Sequence, residues 1–205
     1  MSTYKLTYFD SNGGRAEPVR IALHAAGIDF EDHRISHQEF GEKKNTYPLN
    51  AVPVLEIDGM MITQSNAMCR YVGKQAGLYP TDPIQALYCD EVMGTIEDLT
   101  NRVVATFGYE GEALKAARET FTDTWLTVYL KGLDAQLQRS GGEYFADQKL
   151  SIADLKSMVG VSWFSSGMLD HIPTDIVERV APNIAKHQAR IASHPKVTAY
   201  YDSIS

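Results

Sequence analysis

The stretch Ala51-Val-Pro-Val-Leu-Glu-Ile-Asp-Gly-Met-Met-Ile-Thr-Gln-Ser-Asn-Ala67 constrains the fold more tightly than any other part of the chain. It reads as a strand entered through Pro53, an Asp58-Gly59 turn, a second strand, and a helix opened at Ser65. Asp-Gly between two apolar runs encodes a two-residue hairpin, because a type I′ turn needs positive φ at both central positions. Ser65 stands just before Ala67, Met68, Tyr71 and Val72, so its hydroxyl is expected to cap the helix by accepting an orphan amide proton. A helix N-terminus carries free N–H groups and partial positive charge, and so can hold a carboxylate. Beside Val52-Pro53, this turn makes a cradle for a small peptide.

Upstream, strand-like and helix-like stretches alternate. Tyr4 to Phe9 is short and aromatic-rich, as strands are. Asp10-Ser-Asn-Gly-Gly14 is loop chemistry, and Arg15 to Ala26 reads as a helix closed by Gly27. Pro18 is tolerated in its first turn, where no intrahelical amide bond is lost. Phe30 to Ile35 reads as a second strand, and a β-α-β unit of this length implies a right-handed parallel crossover. Ser36 to Asn50 reads as a looser connection. The predicted order is β-α-β-loop-β-β-α, ending near Gly77.

The chain then changes character. Leu78-Tyr-Pro-Thr-Asp-Pro83 is a short proline-bearing linker, and everything after it reads helical. Ile96, Leu99, Val103 and Phe107 recur at three- and four-residue steps, giving one apolar stripe, and Leu126, Leu130, Leu133 and Leu137 give another. Gly141-Gly142 breaks the pattern. Ser151 and Asp154 form a capping box for the next helix, with Leu150 placed to staple against Leu155. The predicted domains are a mixed α/β unit over 1–79 and an all-helical unit over 84–205.

The bulk numbers exclude several classes. At 205 residues, 44% hydrophobic and 22% charged, the chain has the make-up of an ordinary soluble globular protein. A net charge of −7 argues against nucleic acid as a partner. No run approaches the roughly 18 apolar residues of a membrane span, and the amino terminus lacks the basic start and apolar stretch of a signal peptide. The two cysteines, Cys69 and Cys89, have neither CxxC spacing nor a histidine in metal-ligand register. Both read as reduced core thiols of a cytoplasmic protein.

Tyr4-Lys-Leu-Thr-Tyr-Phe9, Gly14-Arg-Ala-Glu17, Phe30-Glu-Asp-His-Arg-Ile35, Val52-Pro53, Gln64-Ser65 and Ser151-Ile-Ala-Asp154 together, in order and with these gaps, resemble the cytosolic glutathione transferases. Within them the likeness is greatest to the sigma class, which includes the haematopoietic prostaglandin D synthases. It covers nearly the whole chain. The resemblance implies a thioredoxin-like glutathione-binding domain over 1–79, followed by an all-helical domain over 84–205 that contributes the acceptor site. It also implies detoxification chemistry in the cytoplasm, a homodimer, and glutathione as co-substrate.

A glutathione thiol has a reference pKa near ~8.5, so only about 3% is thiolate at pH 7. The thiolate is the nucleophile. One hydrogen bond to it in a dry site is worth roughly 1.5–3 kcal/mol, and a shift of two units would ionise roughly three quarters. Tyr8, at the carboxyl end of the first strand, stands where open α/β sheets bind ligands, and its hydroxyl is a rigid donor too weakly acidic to be anionic itself. Ser11 is the rival donor, since other transferase classes use a serine in this loop.

The resemblance also implies the rest of the glutathione site. The backbone of Val52 would pair with the cysteine of glutathione as a short added strand, with Pro53 cis. Gln64 and Ser65 would hold the γ-glutamyl end, and Lys44 would either meet the glycine carboxylate or lie solvated. Arg15 would act near the thiolate, order the first loop, or pair with a carboxylate. Asp98 would reach across a two-fold interface to the glutathione amino group of the other subunit. Phe40 stands where tryptophan is common and Ala51 where lysine or glutamine is common, which removes polar contacts and predicts weaker glutathione binding. The loop Asp10–Gly14 is one residue longer than in the vertebrate synthases. Gly94 stands where those synthases have a magnesium-site aspartate, so no metal is expected.

The acceptor site implied by the resemblance lies between the domains. It is walled by Asn12 and Gly14 of the first loop and by Val103 and Phe107, with Lys156 and Trp163 one helical face apart at a seven-residue step. A lysine there either favours anionic acceptors or snorkels to solvent. Three functions fit: conjugation of the thiolate to small hydrophobic electrophiles; isomerase or peroxidase chemistry on the same thiolate; and a non-enzymatic, ligand-binding relative, which retention of Tyr8 disfavours.

Overall fold

Four strands, β1 (Tyr4–Phe9), β2 (Glu31–Ile35), β3 (Val54–Ile57) and β4 (Met60–Ile62), form one mixed sheet in the order β2-β1-β3-β4 in the computed structural model, which describes residues 2–204. β2 lies parallel to β1, with Tyr8 opposite Arg34, while β3 lies antiparallel to both β1 and β4. The parallel pair is joined by a 3₁₀ turn over Gly14–Ala16 and the helix α1 (Glu17–Ala25), so the crossover predicted from the sequence is present. The helix proper starts two residues later than the pattern suggested. Pro18 falls in its first turn, and Gly27, at φ 63, closes it by donating its amide hydrogen bond to the His24 carbonyl.

The hairpin forms as its chemistry dictates: Asp58 (φ 50) and Gly59 (φ 84) both adopt positive φ. The Asp58 carboxylate also accepts the Thr3 amide at 2.8 Å, which ties the start of β1 to the turn. The connection over Ser36–Asn50 is more ordered than its composition suggested. Ser36 caps helix α2 (His37–Lys43) by accepting the Glu39 amide at 3.0 Å, and two 3₁₀ turns follow. Ser36-His-Gln-Glu39 is itself a capping signature, and it was the available signal.

Helix α3 (Ser65–Gln75) corrects one expectation. Its cap is Gln64, not Ser65: the Gln64 carbonyl receives the Ala67 and Met68 amides, and Gln64 itself sits at φ 74, ψ 99. The positive φ of Gln64 turns the chain into the helix one residue early. Ser65 therefore occupies the first helical position, buried.

Residues up to Tyr79, together with those from Pro195 onward, form one compact unit, and Pro80–His194 forms a second. The first unit thus takes back the last helix, α10 (Pro195–Ser203), which the sequence pattern had run on with the helical domain. The Tyr200 ring packs edge-on against His24 of α1 at 5.7 Å, which anchors that segment on the α/β unit.

In the second unit the helices are α4 (Pro83–Val104), α5 (Gly111–Thr120), α6 (Thr127–Arg139), α7 (Ile152–Phe164), α8 (Ile176–Val180) and α9 (Pro182–Ala192), and α10 (Pro195–Ser203) follows. A π-helical stretch, Phe121–Leu126, joins α5 to α6. The Asp82 carboxylate caps α4 by accepting the Ile84 and Gln85 amides, with Pro83 at the first helical position. Leu126, Leu130, Leu133 and Leu137 are all fully buried, as their stripe predicts. Ile96, Leu99 and Val103 are likewise buried, but Phe107 is 54% exposed, because α4 ends at Val104 and the stripe does not reach it.

Every residue from Ile152 to Val161 is buried, so α7 is the central helix of this unit, packed against α4 and α9. Gly160 permits the approach of α4: a Cβ there would lie 2.7 Å from Ile96 Cγ2. The predicted capping box at Ser151 and Asp154 is present and does more than cap. Asp154 is fully buried and accepts hydrogen bonds from the Ser151 amide (2.8 Å) and hydroxyl (2.6 Å), from the Phe145 amide (3.0 Å) and from His187 Nε2 (2.8 Å). Cys69 and Cys89 are buried and form no disulfide. No helix among the described residues is long and apolar enough to cross a membrane.

Candidate active site

Tyr8 lies at the carboxyl end of β1, in the middle of the sheet, with only 8% of its surface exposed. Parallel pairing with Arg34 of β2 holds its backbone on one side, and the antiparallel pairing with β3 ends one residue earlier, at Thr7. The chain leaves β1 through Asp10–Gly14 and returns over the phenol: the Arg15 amide donates to Tyr8 Oη at 3.3 Å. Gly14 takes φ 66, and a Cβ there would stand 2.7 Å from Tyr8 Oη and 2.9 Å from Cε1. A side chain would fill the space that the phenol uses. With one lone pair taken by an amide, the hydroxyl keeps its own proton for an outside acceptor.

The first loop is held by charged groups. Ser11 is exposed, and its carbonyl accepts from Arg20 Nη1 at 2.9 Å. Asn12 Oδ1 accepts from Arg34 Nη1 at 2.9 Å, so this predicted acceptor-wall side chain is engaged in ordering the loop. Arg20 itself is fully buried and carries two carboxylate partners, Glu17 Oε2 at 3.1 Å and Asp32 Oδ1 at 2.9 Å. Its guanidinium lies over the Tyr8 ring, 5.9 Å from the centroid. The sequence pattern singled out neither Arg20 nor Asp32. Their charges look like ordinary surface charges until the helix and the strand are brought together.

Phe40, on α2, meets Phe9 edge-on at 5.4 Å and stacks against Tyr47 at 6.4 Å, and His37 packs tilted against the same Phe9 ring at 4.3 Å. This aromatic group adjoins Tyr8, whose ring is 5.3 Å from that of Phe9. Lys44 is exposed in the 3₁₀ turn after α2, and Arg15 is half-buried. The Val52–Pro53 peptide is cis, as anticipated, with Pro53 buried directly before β3. Gln64 is exposed and Ser65 buried at the N-terminus of α3, an end of a helix whose dipole favours an anion. A non-glycine residue at φ 74, ψ 99 stores backbone strain, a state found at ligand clamps.

In the helical unit, Phe107 and Trp163 form an edge-on pair at 6.2 Å, and Val103 is fully buried. Lys156 departs from both expectations for it. It is 4% exposed and donates to Glu97 at 2.7 Å, joining α7 to α4. It does not snorkel, and its charge is met by the carboxylate of Glu97. Asp98 is exposed on α4.

A thioredoxin-like sheet with a phenol at the end of its first strand is followed along the chain by an all-helical unit, the architecture of a class of thiol-using transferases. Two family models match the chain: glutathione S-transferase, N-terminal domain, over residues 4–74, and glutathione S-transferase, C-terminal domain, over residues 97–203. Glutathione S-transferase 1 of Ascaris suum is 32% identical over 209 residues, covering 96% of this chain and 98% of that protein. Glutathione S-transferase 3 of Caenorhabditis elegans is 37% identical over 160 residues, covering 76% and 77%. Among solved structures, prostaglandin synthase D of Nilaparvata lugens superposes with a TM-score of 0.86 at 31% identity, covering 98% of this chain and 97% of that one. The chain belongs to the glutathione S-transferase family, as a sigma-like member.

Proposed function

We propose that this glutathione S-transferase activates the thiol of glutathione through the Tyr8 hydroxyl and delivers it to small, mostly hydrophobic electrophiles. The observation that carries the reading is the Arg15 amide donating to Tyr8 Oη over a glycine that leaves room for nothing larger. That contact occupies the acceptor side of the phenol and leaves its proton to stabilise a sulfur anion. Ser11, the rival donor, sits exposed in the loop and engages the fold through its carbonyl.

Glutathione supplies the sulfur nucleophile. The protein binds and orients it: Val52 by its backbone beside Pro53, Gln64 and Ser65 with the α3 amides around the γ-glutamyl carboxylate, Lys44 at the glycine carboxylate, and Arg15 near the sulfur. Phe40 offers a face where tryptophan would have offered a hydrogen bond, so binding rests more on these other groups. Asp98 completes the glutathione site of the partner in a homodimer. The Phe107–Trp163 pair supports an apolar, aromatic-lined acceptor site. Isomerase chemistry on the same thiolate is the second reading, favoured by the likeness to a protein named prostaglandin synthase D.

The test compares Tyr8→Phe with Ser11→Ala. Tyr8→Phe is expected to keep glutathione affinity within a few fold, raise the bound thiol pKa by ~1–2 units and lower kcat at neutral pH at least about tenfold. An unchanged thiol pKa in Tyr8→Phe, with collapse in Ser11→Ala, would transfer the role to Ser11.

A further inference from the structure

Arg20 is a fully buried charged side chain beside Tyr8, and its surroundings are unusual. Nη1 holds the Ser11 carbonyl (2.9 Å) and Glu17 Oε2 (3.1 Å), while Nε holds Asp32 Oδ1 (2.9 Å). Asp32 is shared, because its second oxygen takes Arg34 Nε at 2.8 Å. Arg34 in turn donates to Asn12 and lies 3.6 Å from Asp10. From α10, Tyr201 hydrogen-bonds Glu17, and burial beside Glu17 pushes both Tyr200 and Tyr201 phenols up. The charged and titratable groups facing Arg20 are therefore Glu17 on α1, Asp32 and Arg34 on β2, and the two tyrosines of α10.

This network is not arranged for stability alone. Among the described residues, Arg20 Nη2 and Glu17 Oε1 are buried without hydrogen-bond partners, as is the Tyr200 hydroxyl. A partly satisfied buried ionic network is commonly no more stable than an apolar replacement of the same shape. What these groups do achieve is geometric. One guanidinium simultaneously fixes the carbonyl of Ser11, three residues ahead of Gly14, and lies over the face of the Tyr8 ring.

The geometry points to Arg20 as a positioning residue for thiol activation: it ties the first loop to the Tyr8 ring, so that the Arg15 amide and the Tyr8 hydroxyl stay in register. The inference rests on the reading of Tyr8 as the thiol-activating donor. Glu17 and Asp32 orient the guanidinium, and α10 closes over Glu17, which makes the end of the chain part of the support of the site.

The experiment uses Arg20→Lys in the full-length enzyme, alone and combined with Tyr8→Phe. A lysine keeps the charge but cannot hold three acceptors in a planar fork. The pH profile of kcat and the thiolate absorbance of bound glutathione are expected to shift upward by about one unit. Turnover at neutral pH would then fall roughly tenfold and recover at high pH, where any bound thiol is ionised. The KM for glutathione should stay within about threefold. Loss of fold integrity alone would lower active-enzyme concentration without moving this profile. In the Tyr8→Phe background, Arg20→Lys should add no further shift. A folded Arg20→Lys enzyme whose profile overlays the wild type, or a full additional shift on top of Tyr8→Phe, overturns the assignment. If Tyr8→Phe itself leaves the thiol pKa unmoved, the donor reading fails first and the role of Arg20 falls with it. Should Arg20→Lys not fold, Asp32→Asn gives the same readout, since the guanidinium then loses the carboxylate on Nε. A shift in thiolate fraction of about threefold supports the inference, and an overlay with wild type overturns it.

Discussion

Replacing Gly14 by alanine adds a single methyl group at the most crowded point of the site. Its Cβ would stand 2.7 Å from Tyr8 Oη, where ordinary contact begins near 3.4 Å, so about 0.7 Å of separation must be found. The phenol is the softer partner, because the loop backbone is held through Ser11 and Asn12. Displacing Oη by that amount breaks the Arg15 amide contact, already long at 3.3 Å. Two separable losses follow. The left-handed conformation of Gly14, φ 66, costs an L-residue ~1–2 kcal/mol of stability. Loss of an aligned donor to the thiolate is worth roughly 1.5–3 kcal/mol, which appears as a thiol pKa raised by ~1–2 units and a ten- to hundredfold fall in kcat at neutral pH. The assay is titration of bound glutathione by thiolate absorbance, with urea unfolding measured on the same samples. Gly13→Ala serves as the control. Gly13 also has positive φ, 135, but a Cβ there meets nothing within 4 Å, so it should lose stability while keeping the wild-type thiol pKa. A Gly14→Ala enzyme with the wild-type thiol pKa and turnover would refute the claim that the position of Tyr8 Oη sets thiol ionisation.

Asp154→Ala should cost about 3–5 kcal/mol in urea unfolding, well above a lone cap, because buried donors on Ser151, Phe145 and His187 lose their acceptor together. The kcat of the remaining folded enzyme should be unchanged, and a loss under 1 kcal/mol would show that the network is not cooperative. Gly160→Ala should destabilise the helical unit by about 1–3 kcal/mol through contact with Ile96, and Ile96→Ala in the same chain should relieve part of that cost. Strict additivity of the two substitutions would place the strain elsewhere.

Local chemistry made several elements legible in advance. Asp58-Gly59 can form only a few turns, and both residues adopt the positive φ that the tightest of them requires. Ser151 and Asp154 pair within one turn of helix, so their geometry needs nothing from the rest of the protein. Tyr8, Val52-Pro53 and Gln64-Ser65 were singled out through the family resemblance, and the structure puts each at or beside the end of a strand or helix. Ser65 was placed one position off. The cap depends on the backbone of Gln64, whose positive φ no propensity predicts.

What the sequence by itself determined is whatever depends on contacts within about one turn or one hairpin: the order of the strands, the capping box, the leucine stripe that runs into α6, and the residue types able to handle a thiol. Only the tertiary structure decided the fate of charges whose partners lie far along the chain. Arg20 finds Asp32 across the α1–β2 crossover, Lys156 finds Glu97 on another helix, and Asp154 finds His187 after a gap of 33 residues. In sequence none of these partners shows: Arg20 reads as an ordinary surface charge, Lys156 as a lysine at the acceptor wall or snorkelling, and Asp154 as half of a local capping box. Burial reverses that meaning, because a charge removed from water persists only where the fold delivers a partner, and that delivery is a property of packing. The same holds for Gly14 and Gly160: a missing side chain carries no pattern of its own, and the Tyr8 hydroxyl and the Ile96 methyl that require its absence are supplied by other elements of the fold.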